Sequence, residues 1–221
     1  MTNLLSGKMI AAMGIPGCGK SSVIRELVEL YPDSGIAYFE PEETGSVSEI
    51  GWPDAIHGRA KYGYFGSITW FRAMRVPGLY KAQDDAREGK IAFVDSYFDK
   101  LLTHYLENEN MSWFLPKNDP YHSLIKQMAE LDYVDLPNAD IVVFFDLDEE
   151  TWEDFVVMRG RMQDGEEEYR AQCFGLREPM LDACKRYSKE HDKKLLIFKQ
   201  EPTGVSQAAL RLKSVLENSC G

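Results

Sequence analysis

The sequence contains no run approaching the roughly twenty apolar residues of a membrane span, and it has no internal repeat or low-complexity tract. Its four cysteines, Cys18, Cys173, Cys184 and Cys220, form no C-x-x-C pair and do not cluster with the four histidines. A disulfide framework and a structural zinc site are therefore poor readings of this chain. It lacks a basic surplus as well: 25 Lys and Arg face 36 Asp and Glu, for a formal net charge of −11. That balance argues against a surface that coats nucleic acid. The apolar run after Lys8 is short and stops at a glycine cluster, which is not the form of a secretory signal. A reducing, cytoplasmic compartment is expected, with small molecules as partners rather than nucleic acid or membrane.

What is present suits one domain spanning residues 1–221, since 44% hydrophobic residues can bury an ordinary core. The chain is organised around Gly14-Ile15-Pro16-Gly17-Cys18-Gly19-Lys20-Ser21. The apolar run Met9–Met13 precedes it and the amphipathic stretch Ser22–Leu30 follows. This is strand, glycine loop and helix, with the spacing G-x-x-x-x-G-K-[ST] complete. Glycines let successive N–H groups point inward at a phosphate, and the helix beginning near Lys20 adds the positive end of its dipole. Lys20 would reach the outer phosphates of a triphosphate, and the Ser21 hydroxyl would sit on Mg²⁺. Cys18 reads as a tolerated small residue inside the loop.

Further along, apolar runs alternate with helical spacing. Strands are expected at Gly35–Phe39, Lys90–Val94, Asp140–Leu147 and Lys194–Lys199. Helices are expected at Ser67–Arg87 with a bend near Pro77-Gly78, Tyr97–Glu107, Pro120–Leu131, Glu149–Arg161, Glu168–Glu190 and Val205–Asn218. Ser46–Gly66, rich in glycine and polar residues, reads as irregular. Strands alternating with helices predict an α/β fold whose parallel sheet is covered on both faces.

Three carboxylate or cation groups stand where such a sheet binds ligands, outside the carboxyl ends of its strands. Glu40, in Glu40-Pro41-Glu42-Glu43, can accept a proton from an attacking hydroxyl, with Glu42 and Glu43 as competing choices. Asp95 closes the third strand and can organise Mg²⁺ or cap the next helix, roles that are compatible. Arg159 and Arg161 end a helix, where cations either offset its dipole or fold over a triphosphate; beside a phosphate loop the second role is favoured. The aromatics Tyr62–Phe65, Trp70 and Phe71 can stack on a base or fill the core.

The order GIPGCGKSS, FEPEE, FVDSYFD and FFDLDEETWEDFVVMRGR resembles the deoxynucleoside kinases and their relatives the thymidylate kinases, over roughly residues 8–200. The resemblance implies a P-loop kinase fold with a five-stranded parallel sheet, helices on both faces and a short arginine-containing lid near residues 159–168. It implies ATP and Mg²⁺ as cofactors and transfer of a phosphoryl group to a nucleoside 5′-hydroxyl or a nucleoside monophosphate. Gly14, Ile15, Pro16, Gly17, Cys18, Gly19, Lys20, Ser21 and Ser22 would cradle the nucleotide. Ser21 and Asp95 would hold the metal, Glu40 would act as the base, and Arg159 and Arg161 would close over the phosphates. A homodimer through helices is also implied. The sequence departs from the family pattern at Ser96, where an arginine is expected, at Gly66 in place of a base-clamping glutamine, and at Phe155 in place of a lid-helix arginine. Gln163-Asp164 only approximates a Glu-Glu pair. Arg72 or Arg75 can substitute for the cation missing at Ser96.

Overall fold

In the computed structural model, which describes residues 4–44 and 55–220, five parallel strands form one sheet in the order β2-β3-β1-β4-β5. They are β1 (Met9–Met13), β2 (Gly35–Tyr38), β3 (Ile91–Asp95), β4 (Ile141–Asp146) and β5 (Lys194–Lys199). Every residue of β1 and β3 is buried, as are the first five of β4. Strands buried on both faces read as continuous apolar runs, and that is why MIAAM, IAFVD and IVVFFD were legible as central strands. The edge strand β5 shows the opposite pattern, with Ile197 52% exposed and Phe198 3%. The register pairs Ala12 with Asp95 and Met13 with Phe144. It brings the carboxyl ends of β1 and β3 level, so the Gly14 loop and Asp95 leave the sheet together.

The helices are α1 (Lys20–Glu29), the single turn α2 (Pro41–Thr44), α3 (Ala55–Arg87), α4 (Phe98–Glu107), α5 (His122–Asp135), α6 (Glu149–Arg159), α7 (Glu167–Gly175), α8 (Arg177–Glu190) and α9 (Val205–Cys220). Residues 45–54, part of the stretch expected to be irregular, lie outside the described residues. From Ala55 onward that stretch is helical, contrary to expectation. The break falls at Gly63 (φ 78°, ψ 161°), while the helix runs on through Pro77. Gly63 adopts a backbone that other residues avoid, so it ends one helical segment and starts the next. α5 begins at His122, two residues after Pro120, and α6 stops at Arg159 because Gly160 turns left-handed (φ 61°). The long helix expected over Glu168–Glu190 is two, α7 and α8, meeting at Leu176. Pro179 sits in the first turn of α8, where its missing N–H costs nothing.

Outside the sheet, α4, α5 and α8 enclose a polar cluster. Lys100 is fully buried and donates to Leu136 O at 2.6 Å. His104 is buried with neither ring nitrogen hydrogen-bonded, its ring edge-on to Tyr133 at 4.7 Å. Burial, and then the Arg186 charge, hold the His104 imidazole below its ordinary range, against the opposing pull of Glu190 and Glu107. Burial and Lys100 do the same to His191. The folded protein thus binds these protons less well than the unfolded chain. Their contribution is present above the ordinary histidine value near 6.5 and is lost as pH falls below it. Urea unfolding at pH 7.5 and pH 5.5 is expected to give lower stability at the lower pH, and His104→Gln is expected to shrink that difference. An unchanged difference would assign the acid sensitivity to other groups.

Candidate active site

The phosphate loop leaves β1 at Met13 and enters α1 at Lys20. Gly19 caps that helix with φ 82° and lies against Phe155 and Gln200, whose Nε2 is 3.0 Å from where a Cβ would stand. Gly17 has φ 87°, and a Cβ there would sit 2.9 Å from Val156 Cγ2. Two contacts hold the loop from outside. Trp152 Nε1 donates to Pro16 O at 2.8 Å, and Gln200 Nε2 donates to Cys18 O at 3.0 Å. The loop is therefore seated on α6 and on the end of β5 before any ligand arrives. Gly17→Ala is expected to cost roughly 1–3 kcal/mol through the left-handed backbone alone, with further loss from the Val156 contact. A thermal melt reads the first, and nucleotide affinity falls with it.

Ser21 Oγ donates to Asp95 Oδ2 at 2.5 Å, and Lys20 Nζ stands 3.8 Å from Asp95 Oδ1. Asp95 is buried, and Oδ1 has no hydrogen-bond partner. Burial pushes the Asp95 carboxyl up to about 6, with Lys20 pulling it down and Glu40 pushing it up. Burial opposes the charge on Lys20 more than any single neighbour supports it, but Asp95, Cys18, Glu40 and Glu43 together outweigh burial, so the ammonium is held above the usual lysine value. An unsatisfied buried carboxylate oxygen beside a serine hydroxyl is a hard-oxygen pair of the kind that Mg²⁺ takes alongside phosphate oxygens. The residues present fit that ion. Among the described residues, no group of three or more His, Cys, Asp or Glu is placed to hold a metal unaided.

The loop opens onto a cleft of about 590 Å³ that Glu40, Glu43, Arg59, Phe71, Arg75 and Ser96 also line. Glu40 follows β2, and its Oε1 lies 3.6 Å from Arg75 Nη1. Glu43 is committed elsewhere: it accepts from Arg161 Nη2 at 2.8 Å and from Arg25 Nη1 at 3.2 Å. The side chain of Glu42 lies outside the described residues. Of the two described carboxylates, both of which line the cleft, Glu40 is the one whose charge is answered only at longer range, by Arg75. Ser96 has φ 97°, a strained backbone for a residue with a side chain. Its amide donates to Ala12 O at 3.1 Å, which ties the turn after β3 to the end of β1.

Arg159 donates through Nε to Asp164 Oδ2 at 2.9 Å and through Nη2 to Oδ1, and the Arg161 amide joins Oδ2 at 3.1 Å. Both arginine side chains line the cleft, and both are ion-paired. The sequence-expected residues Lys20, Ser21, Glu40, Arg159 and Arg161 thus converge on one cavity, and Asp95 stands behind Ser21 and Lys20 without lining it. Of the aromatics considered from sequence, Phe71 faces it; Phe65 stacks on Tyr121 at 4.8 Å. Phe98, Trp113 and Phe114 supply the other flat walls. Asp99, Trp152 and Gln200 were missed. Nothing in the spacing of FFDLDEETWEDFVVMRGR marks Trp152, whereas Gln200 is a polar residue directly after a strand, a position at which a ligand-facing group is expected.

No protein-family model matches the chain, and no curated protein is similar to it at a significant level. Solved structures do share its fold. A deoxyadenosine kinase from M. mycoides, solved with dCMP and dCDP, aligns with a TM-score of 0.61 at 15% identity, covering 95% of this chain and 99% of that one. Thymidylate kinase from Ehrlichia chaffeensis gives 0.52 at 18% identity over 96% and 98%, and that from Candida albicans 0.53 at 15% over 97% and 92%. At these identities the likeness establishes the architecture: the chain has the α/β fold of P-loop kinases. Among the described residues, no helix is long and apolar enough to cross a membrane.

Proposed function

We propose that this protein transfers the γ-phosphoryl group of Mg·ATP to the 5′-hydroxyl of a nucleoside, with a deoxynucleoside as the favoured acceptor. The observation that carries the reading is that Glu40, Lys20 and Ser21 line one cleft that also presents Phe71, Phe98, Trp113 and Phe114, with Asp95 bonded to Ser21 and 3.8 Å from Lys20. In this reading the loop from Gly14 to Ser22 binds the triphosphate through its N–H groups, and Lys20 neutralises the outer phosphates. Ser21 and Asp95 would hold Mg²⁺, which neutralises charge on the phosphoryl oxygens. Phe71, Phe98, Trp113 and Phe114 sandwich the base. Glu40 accepts the hydroxyl proton as the oxygen attacks. Residues 159–168 act as a lid, in which Arg159 and Arg161 exchange Asp164 and Glu43 for phosphate oxygens.

A neutral acceptor is favoured over a monophosphate by where Arg72 and Arg75 of α3 point. Arg72 turns outward and forks onto Asp132 at 2.6 Å through both nitrogens, while Arg75 forks onto buried Asp99. Neither is left to clasp a second phosphate. The rival reading, a nucleoside monophosphate kinase, draws on Arg59, a buried cation on the cleft wall stacked over Phe114 at 4.4 Å. The third, a nucleotide-binding protein with weakened transfer, draws on Ser96 and Phe155.

Purified protein with Mg·ATP and a panel of nucleosides and monophosphates separates the three by ADP release. Release with nucleosides alone supports the proposal, release with monophosphates alone moves the answer to the second reading, and binding without turnover moves it to the third. The homodimer implied by the resemblance belongs to the same proposal, and sedimentation analysis reads it.

A further inference from the structure

The geometry points to Arg75 as the positioning residue for Glu40, held in place by Asp99, an assignment that rests on Glu40 being the base in the reading above. Arg75 lies within α3 and reaches the cleft beneath the acceptor side. Its Nε and Nη2 donate to the two oxygens of Asp99 at 2.7 and 3.1 Å. The side chains of Arg75 and Asp99 are 9% and 2% exposed. The guanidinium carbon sits 5.5 Å from the ring centre of Phe71 and 5.2 Å from that of Phe98. A planar cation gripped along one edge and packed against two rings cannot swing. The opposite edge, Nη1, is thereby aimed at Glu40 Oε1 at 3.6 Å.

The arrangement orients rather than neutralises. Asp99 offsets the charge on Arg75, so the pair adds little net positive potential to the cleft. What it adds is a donor of fixed direction. Glu40 stands just beyond the end of β2 and just before the single turn of α2, where the Glu43 amide fixes its carbonyl at 2.9 Å but leaves its side-chain torsions unset. Without Arg75 its carboxylate would be free to swing toward Lys20 or into solvent. A base must be within hydrogen-bond reach of the proton it takes, and a misplacement of about 1 Å can cost on the order of 10²-fold in rate. The device joins three distant segments: the end of β2, the middle of α3 and the first turn of α4. It also answers the question left by Ser96. No cation follows Asp95 on its own strand, and Arg75 brings one to the same cleft from α3.

Lysine keeps the charge but loses the fork, and at a two-pronged site the exchange is not conservative. Turnover is measured for wild type, Arg75→Lys, Glu40→Gln and the double variant, with the best acceptor found. Arg75→Lys is expected to lower kcat by about 10²-fold with KM for ATP unchanged. In the Glu40→Gln background the same change is expected to do almost nothing, because its effect passes through the carboxylate. Independent losses that multiply would overturn the assignment, since a merely structural role does not depend on Glu40. If wild type phosphorylates no acceptor, the kinase reading fails by itself, and crystal structures decide the positioning separately. Wild type is expected to show one Glu40 rotamer facing Arg75 Nη1, and Arg75→Lys several. The same single rotamer in both, or a wild-type Glu40 turned away from Arg75, refutes it. The wild-type crystal suffices should the lysine variant fail to fold.

Discussion

Glu40→Gln is expected to lower turnover by about 10²–10⁴-fold, the range that a positioned general base contributes, while Mg·ATP affinity stays nearly intact. The separation follows from the geometry. Glu40 lies after β2 and faces Arg75, whereas the phosphate loop is held by Trp152 and Gln200 from the other side. Glutamine matches the shape of glutamate and can still meet Arg75 through its amide oxygen, so the cleft keeps its form and loses only the proton acceptor. Steady-state turnover with a nucleoside and direct ATP binding by calorimetry read the two effects apart. Turnover that survives unchanged removes Glu40 as the base. Glu43, paired to Arg25 and Arg161, is then the next candidate only if those pairs open on binding.

Lys20→Ala is expected to weaken both binding and transfer. A charge-assisted hydrogen bond contributes about 1.5–3 kcal/mol, so ATP affinity should fall roughly 10- to 150-fold, with kcat lowered further because charge on the transferred group goes unanswered. The variant also strips Asp95 of the ammonium 3.8 Å from its Oδ1. Burial already pushes that carboxyl up to about 6, and removing the cation pushes it higher. The variant should therefore demand more Mg²⁺ at pH 6 than at pH 8, which titration of binding against Mg²⁺ at the two pH values reads. An equal requirement at both would separate Asp95 from the metal. Glu40→Gln leaves the Lys20 and Asp95 pair in place and removes the upward push of Glu40, so its metal requirement should depend less on pH than that of Lys20→Ala.

The donor half was legible in the sequence because it is local. One octapeptide carries the loop, the lysine and the serine, and the strand before it and the helix after it are each a single readable pattern. The central strands were legible for the same reason, since burial on both faces leaves them no polar residue before the aspartates that close β3 and β4. The acceptor half was legible only in part: Glu40 stood out at a strand end and Arg75 was one of two substitute cations, but their pairing is assembled from separated segments. Arg75 meets Asp99 and Glu40 only after α3 crosses beneath the ends of β2 and β3, and neither partner is marked by spacing. Asp99 reads from sequence as an ordinary acid in the first turn of a helix. The beginning of α3 was misread because Gly58, Gly63 and Gly66 lower its helix propensity, and packing overrides such preferences. The bend was sought at Pro77 because proline removes a helical hydrogen bond, yet the break needed only the backbone freedom of Gly63.

The central claim is that one cleft holds a triphosphate on the Lys20 side and a neutral hydroxyl on the Glu40 side. It is tested most directly by incubating the protein with γ-labelled Mg·ATP and a deoxynucleoside, then separating the products. Label is expected in a deoxynucleoside 5′-monophosphate, and is expected to be lost in Glu40→Gln. Label confined to inorganic phosphate, or appearing only when monophosphates are supplied and then in diphosphates, would contradict it.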